Sequence, residues 1–344
     1  MNLSYTTYRI NCTHPFGISR SSHNYYDIVF IYLEHEGIIG RGEAAPSGRY
    51  NEFTNDILKV LDSDIDLPSQ ISNPEDFSKL IAHCCNGIKS LEVAFSMAAL
   101  DWWCQKKNIR VYEFFKANPL KSPKTSYTIS IGDMALISEK IKESEPYHIL
   151  KVKLGMGVDE DKAIINAIRN ETDKVIRVDA NEGWDLNSGI EMCQWLSMQN
   201  VEFIEQPFKA SNLDDTAKLR AESPLPLIAD ENSLNSSDIP KIEGVFDGIN
   251  IKLMKCGSLF EAMKMIQMAR ERKMQIMLGC MIESSIGITA AAHLSPLVDY
   301  ADLDGNLLIN NDPYSGVGIE NGKLILPNKK GLGISLTSDH KNLI

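Results

Sequence analysis

The stretch Ile149-Leu150-Lys151-Val152-Lys153-Leu154 decides how this chain is read. Its composition is that of a β-strand, yet two lysines stand two residues apart in its middle. Side chains two apart on a strand share a face, so Lys151 and Lys153 point one way and Leu150, Val152 and Leu154 the other. An edge strand with a wet face accommodates such lysines easily. If their face is an interior one, both charges need partners, because an unpaired buried charge is very costly.

Working outward locates those partners. Beyond residue 118, short apolar runs alternate with amphipathic helical stretches. The runs are 126–131, 149–154, 175–180, 201–207, 226–231, 248–253, 275–280 and 300–305. Strand–helix alternation means parallel strands with crossover helices, and eight strands point to a closed (β/α)8-type barrel rather than an open sheet. Ionisable residues fall in phase at the strand ends. Lys153, Asp179, Glu205, Asp230 and Lys252 follow one another at intervals of 26, 26, 25 and 22 residues, and Asp302 and Asp304 end the last run. A strand of about 5–6 residues, a helix of about 11–12 and two loops give one unit of this length. Each charge therefore recurs at the C-terminal end of a barrel strand, the rim where barrel enzymes assemble their active sites.

Barrel closure makes Asp179, Glu205 and Asp230 the partners of the lysines. Three converging carboxylates repel one another unless a cation sits among them. An all-oxygen donor set favours Mg²⁺ over zinc, with Mn²⁺ admissible. The lysines flank this set, one on each side. A substrate carboxylate held at the metal then has a lysine on either face of its α-carbon. Removing the α-proton develops charge that a divalent ion stabilises. The base must be neutral, and burial beside the metal and a second lysine is expected to lower its pKa. One lysine removes the proton and the other returns it, which inverts the carbon.

The 344-residue chain is long enough for a large domain and a smaller one. The expected division is an α+β domain over 1–118, the barrel over 119–315, and a segment over 316–344 that returns to cover the first domain. The first 60 residues read as strands separated by a polar stretch, Cys12 to Tyr26, whose Gly17 and serines suggest a mobile lid. Ser90 to Lys107 has an apolar stripe at helical spacing. A net charge of −11 argues against a nucleic-acid partner. Seven cysteines without a CxxC pair suit reduced thiols in a cytoplasm. No signal peptide or membrane-length apolar run is evident. The expectation is a soluble cytoplasmic enzyme with a small-molecule substrate and no membrane partner.

The motifs KVKLG (151–155), VDAN (178–181), IEQP (204–207), ADE (229–231), INIKLMKCGS (249–258) and MIESSIGITAAAH (281–293), with GRGEAAP (40–46), resemble the enolase superfamily, muconate-lactonizing-enzyme subgroup. The resemblance implies a (β/α)7β modified TIM barrel with an N-terminal α+β capping domain and one Mg²⁺ on Asp179, Glu205 and Asp230. It implies an acid/base pair of Lys153 and Lys252, with Lys151 stabilising the enolate. Several reactions share this machinery. The discriminating feature is Asp302-Leu303-Asp304-Gly305, in which two further carboxylates face the site and call for a cationic substrate group. The pair resembles that of the dipeptide epimerases, where it receives the substrate's α-ammonium. A loop cap at Asp302 and a turn at Asp304 is the structural alternative.

That branch's best-known activity interconverts L-Ala-D-Glu and L-Ala-L-Glu in recycling of cell-wall peptide. Reading the distal carboxylate takes a cation, and Arg20 is the first candidate, with Arg49 the alternative. Hydrophobic or small dipeptides remain open, as does an o-succinylbenzoate synthase or cycloisomerase reaction. Cys280 and Ile282 are candidate pocket residues. Glu283 either orients a lysine or caps the following helix. The family is often homo-oligomeric.

Overall fold

A computed structural model describes residues 1–19, 21–63, 65–132 and 134–340. Three antiparallel strands open the chain: β1 (Asn2–Ile18), β2 (Ser21–His35) and β3 (Ile38–Ala44). β2 is buried on both faces from Ile28 to Leu33, which explains its unbroken apolar run. Val29, Ile31 and Leu33 pack with Phe95 and Trp102, while Ile28, Phe30 and Tyr32 join the core that continues into the barrel. Helices α1 (Thr54–Leu61), α2 (Pro74–Ala82) and α3 (Lys89–Lys107) follow. α3 lies against β3 so closely that a Cβ on Gly42 would stand 1.9 Å from the Ala94 carbonyl oxygen, and one on Gly40 2.0 Å from that of Ala98.

The stretch expected to be a mobile lid is mostly strand. β1 and β2 pair along nearly their whole length, with an irregularity between Asn11 and Phe16. Their far end is stitched to the barrel: Thr13 N–H donates to the Leu308 carbonyl at 2.9 Å, and Gly17 bridges Ile131. A Cβ on Gly17 would meet the Ile131 carbonyl oxygen at 2.1 Å. The glycine is there for close approach of two backbones rather than for mobility.

Eight parallel strands then run in sequence order: β4 (Tyr127–Ile129), β5 (Ile149–Lys153), β6 (Val175–Asp179), β7 (Val201–Glu205), β8 (Leu227–Ala229), β9 (Gly248–Lys252), β10 (Gln275–Gly279) and β11 (Tyr300–Ala301). A parallel bridge between Thr125 and Ala301, with Ser126 N–H donating to the Ala301 carbonyl at 3.2 Å, joins the last strand to the first. Helical segments fill the seven intervals, giving the (β/α)7β barrel. Lys153 pairs with Asp179 and Asp179 with Glu205 across neighbouring strands, so the three side chains stand at one height on the rim. The residues after the barrel form two small antiparallel ladders. They reach back to the N-terminal elements: Leu332 N–H donates to Asp101 at 2.8 Å, and the His340 ring meets the Tyr8 hydroxyl at 3.1 Å. Among the described residues, no helix is long and apolar enough to cross a membrane.

Candidate active site

The lysine face of β5 is the barrel interior, for Lys151 and Lys153 are 2% and 7% exposed. Lys151 Nζ lies 2.7 Å from Glu205 Oε2, 2.7 Å from Asp302 Oδ2 and 3.3 Å from Asp179 Oδ2. Lys153 Nζ is 2.6 Å from Asp179 Oδ2. On the other side, Lys252 Nζ is 2.8 Å from Asp230 Oδ2. Asp179, Glu205 and Asp230 are buried, and each offers an oxygen within 4.8 Å of the others.

Backbone and side-chain amides hold these carboxylates in place. Asn181 N–H donates to Asp179 Oδ1 at 2.9 Å, Asn250 Nδ2 to Glu205 Oε1 at 2.7 Å, and Asp230 N–H to Gln206 Oε1 at 2.9 Å. Lys255, one helical turn past Lys252, is buried and donates to Asp230 Oδ1 at 2.5 Å. Lys255, Asn250 and Gln206 escaped the sequence reading. None sits in the 25-residue rhythm, and only the spacing of three in Lys252-Leu-Met-Lys255 signals a shared helical face.

Burial raises the Asp179 carboxyl, but Lys153 and Lys151 outweigh it and hold the group low. Asp230 is held well below the usual range for the same reason, by Lys252 and Lys255. Glu205 goes the other way, pushed up to about 7 by burial and then by Asp179, more than Lys151 lowers it. Converging oxygens and a donor set without thiolate or imidazole fit a hard divalent cation.

The lowered lysine pKa expected from the sequence is that of a site holding its cation; without one, two of the lysines are held high. Burial does lower Lys252 and Lys151, but Asp230 for the first, and Asp302 and Glu205 for the second, outweigh it and hold both ammoniums high. The cause is direct ion pairing to the carboxylates. A cation engaging those carboxylates withdraws that support from the lysines.

Asp302 and Asp304 both line the cavity above the rim but are held differently. Asp302 accepts from Ser126 Oγ at 2.6 Å and from Lys151 at 2.7 Å. It is therefore partnered within the chain rather than awaiting a substrate cation alone. Asp304 accepts the Thr128 N–H at 2.6 Å and enters no ion pair among the described residues. Burial and then Asp302 push its carboxyl up to about 7.

The cavity measures about 660 Å³. Lys151, Lys153, Lys252, Asp230, Cys280 and Ile282 line it from the barrel, and Phe16, Ile18, Tyr25, Tyr26, Tyr50 and Phe53 from the N-terminal elements. Burial pushes the Cys280 thiol well up, and it donates to the Asp302 carbonyl at 3.3 Å. Among the described residues Glu283 enters no ion pair with a lysine. It accepts the Met281 N–H at 2.7 Å. The helix Ser285–Ala292 is instead capped by the Ser284 hydroxyl and by Glu43, which accepts the Ser284 and Gly287 N–H groups at 2.8 and 3.0 Å. Arg49 lines the cavity, yet its guanidinium is paired with Glu182. Arg20 lies outside the described residues.

A family model described as enolase C-terminal domain-like matches residues 134–340, more than half of the chain. The chain belongs to that family. It is 37% identical to the L-Ala-D/L-Glu epimerase of Bacteroides thetaiotaomicron over 97% of this chain and 88% of the relative. It is 35% identical to the L-Ala-D/L-amino acid epimerase of Flavobacterium johnsoniae over 98% of this chain and all of the relative. A crystal structure of the dipeptide epimerase from Cytophaga hutchinsonii, complexed with Mg and the dipeptide D-Ala-L-Val, superposes with a TM-score of 0.90. The identity there is 26%, with 98% of this chain and 96% of the other covered. The family resemblance and barrel topology read from the sequence therefore hold.

Proposed function

We propose that this enolase-family chain is a Mg²⁺-dependent dipeptide epimerase that inverts the α-carbon of the C-terminal residue by two-lysine 1,1-proton transfer. The observation that carries the reading is the placement of Lys153 and Lys252. Both are buried, and they pair with different members of the carboxylate set, Asp179 and Asp230. A substrate carboxylate between them presents one face of its α-carbon to each. The names of the Bacteroides thetaiotaomicron and Flavobacterium johnsoniae relatives, both epimerases, support the same chemistry.

In this account Lys153 accepts the α-proton from one isomer and Lys252 protonates the opposite face, with the roles exchanged for the other isomer. A divalent cation held by Asp179, Glu205 and Asp230 supplies electrostatic stabilisation to the charge that develops on the substrate carboxylate. Lys151, anchored by Asp302, adds a fixed positive charge beside it. Asp304 receives the substrate ammonium. The wall built from β1, β2 and the loop after β3 excludes water, which strengthens each of these interactions.

L-Ala-D/L-Glu is the leading substrate by relatedness. A second reading, an apolar C-terminal residue, is favoured by Phe16, Ile18, Tyr25 and Phe53 in the cavity wall and by the engagement of Arg49 elsewhere. The reading extends to a cytoplasmic role in recycling cell-wall peptide, to Mn²⁺ as a substitute metal and to a homo-oligomer. Asp304 argues against an o-succinylbenzoate synthase or cycloisomerase, since an anionic substrate gives that carboxylate no partner.

The test is mass spectrometry of an L,L-dipeptide library incubated with enzyme and Mg²⁺ in D2O. Epimerised members gain one α-deuteron. Labelling of Xaa-Glu peptides supports the first side-chain reading, and labelling of apolar peptides the second. No labelling by folded, metal-loaded protein overturns the epimerase assignment.

A further inference from the structure

Arg49 and Glu182 stand on opposite sides of the seam between the N-terminal elements and the barrel. Arg49 belongs to the loop after β3, and Glu182 to the turn after β6, three residues beyond Asp179. Arg49 Nη2 lies 2.9 Å from each Glu182 oxygen. The Glu182 side chain is 8% exposed and that of Arg49 40%. Glu182 Oε1 also accepts the Ala210 N–H at 2.8 Å, and its own N–H donates to the Gln206 carbonyl at 2.9 Å. One carboxylate thus ties together the loops after β3, β6 and β7.

Both partners are built into firm local structure. Asn181 and Glu182 hold left-handed backbone, with φ of 45° and 65°, a conformation uncommon for residues other than glycine. It persists because the surroundings over-determine it. Ser19 Oγ donates to the Asn181 carbonyl at 3.1 Å, so the β1–β2 end grips the same turn. The Arg49 loop is a short 3-10 turn, Gly48–Tyr50, in which Ser47 O accepts the Tyr50 N–H at 3.0 Å and the Glu52 N–H at 3.2 Å. Just past it, Glu52 accepts the Lys89 and Ser90 N–H groups at the start of α3, at 2.6 and 3.1 Å. The loop is thereby anchored to the cap at Glu52 and to the barrel at Arg49. Between the two anchors stands Tyr50, which lines the same cavity as Asp230 and Lys252.

We propose that Arg49 and Glu182 form a clasp that fixes the loop over residues 46–52 across the barrel mouth and holds Tyr50 in the cavity wall. Arg49 is then a positioning residue that acts through Tyr50, not a reader of the substrate side chain. Its catalytic part of the claim rests on the epimerase reading, while its structural part does not.

Two measurements test it together. Hydrogen exchange of wild type, Arg49→Met and Glu182→Gln reports on the loop without reference to activity. The clasp gives faster exchange over 46–53 in both variants and unchanged exchange in α3. Steady-state epimerisation of an Xaa-Glu and an Xaa-Leu dipeptide then separates the two roles of Arg49. A clasp raises KM roughly tenfold for both substrates, the size of a charged hydrogen bond discounted for partial exposure, with kcat less affected. The double variant is no worse than either single one, and Arg49→Lys recovers part of the loss. Exchange unchanged in both variants, or a KM effect confined to Xaa-Glu, overturns the clasp. Wild-type protein that epimerises neither substrate overturns the epimerase reading instead, and the exchange data still decide the clasp.

Discussion

Lys151 and Asp302 meet at 2.7 Å inside the barrel, joining its second strand to the end of its eighth. The bond forms only because the sheet closes, and it makes Asp302 a support for Lys151 as well as a wall of the cavity. Asp304, two residues on, has no such partner among the described residues.

The two aspartates therefore differ in their expected effects. Asp302→Asn weakens the anchor of Lys151 and lowers kcat with KM nearly unchanged. Asp304→Asn removes the ammonium acceptor and raises KM roughly 10- to 100-fold, the range for a hydrogen bond to a charged group. Steady-state kinetics on one dipeptide with both variants checks this; equal effects on KM would return both residues to a single shared role.

Packing of α3 on β3 gives a prediction independent of chemistry. Gly42→Ala places a methyl group against backbone that cannot step aside, so it is expected to destabilise by about 3 kcal/mol. Gly37→Ala meets nothing within 4 Å and has only its φ of +71° to contend with, a loss of about 1–2 kcal/mol. Urea unfolding of the two variants orders them, and a Gly37→Ala loss exceeding that of Gly42→Ala would contradict the packing argument.

His293 supplies a pH-dependent term. Burial lowers its pKa to about 4, partly offset by its bond to the Leu332 carbonyl. The unfolded chain has an ordinary histidine near 6.5. Between those values the unfolded state binds more protons, so stability falls as pH drops from about 6.5 toward 4. The full difference is about 3 kcal/mol. Replacing His293 by Gln is expected to flatten the fall in Tm between pH 7 and pH 5 relative to wild type. An identical fall in both proteins would show that His293 does not titrate in this window.

Much of the site was legible because two periodicities overlap. The unit length of about 25 residues put Lys153, Asp179, Glu205, Asp230 and Lys252 on one rim, and the strand period of two turned Lys151 and Lys153 to one face. What depends on closure was not legible. The Lys151–Asp302 bond joins residues 151 positions apart, and the Arg49–Glu182 pair joins two loops with no period at all. The β1–β2 end looked like a loop because Gly17 and the serines at 19, 21 and 22 give it a polar, turn-like composition. Its order comes from backbone partners at Leu308 and Ile131 that sequence cannot supply. The direct approach of Asp230 to Lys252 and of Asp302 to Lys151, which holds those two ammoniums high in the metal-free chain, likewise depends on closure.

The most direct test of two-base catalysis follows α-proton exchange by NMR in D2O, with each isomer of a turned-over dipeptide offered separately to Lys153→Ala and Lys252→Ala. The account predicts that neither variant interconverts the isomers, with a loss of at least about 10²–10⁴-fold for removing one acid/base group. Each variant is further predicted to exchange the α-proton of one isomer at most, opposite isomers for the two lysines. Full epimerisation by either variant, or exchange of the same isomer by both, would contradict the assignment of Lys153 and Lys252 to opposite faces.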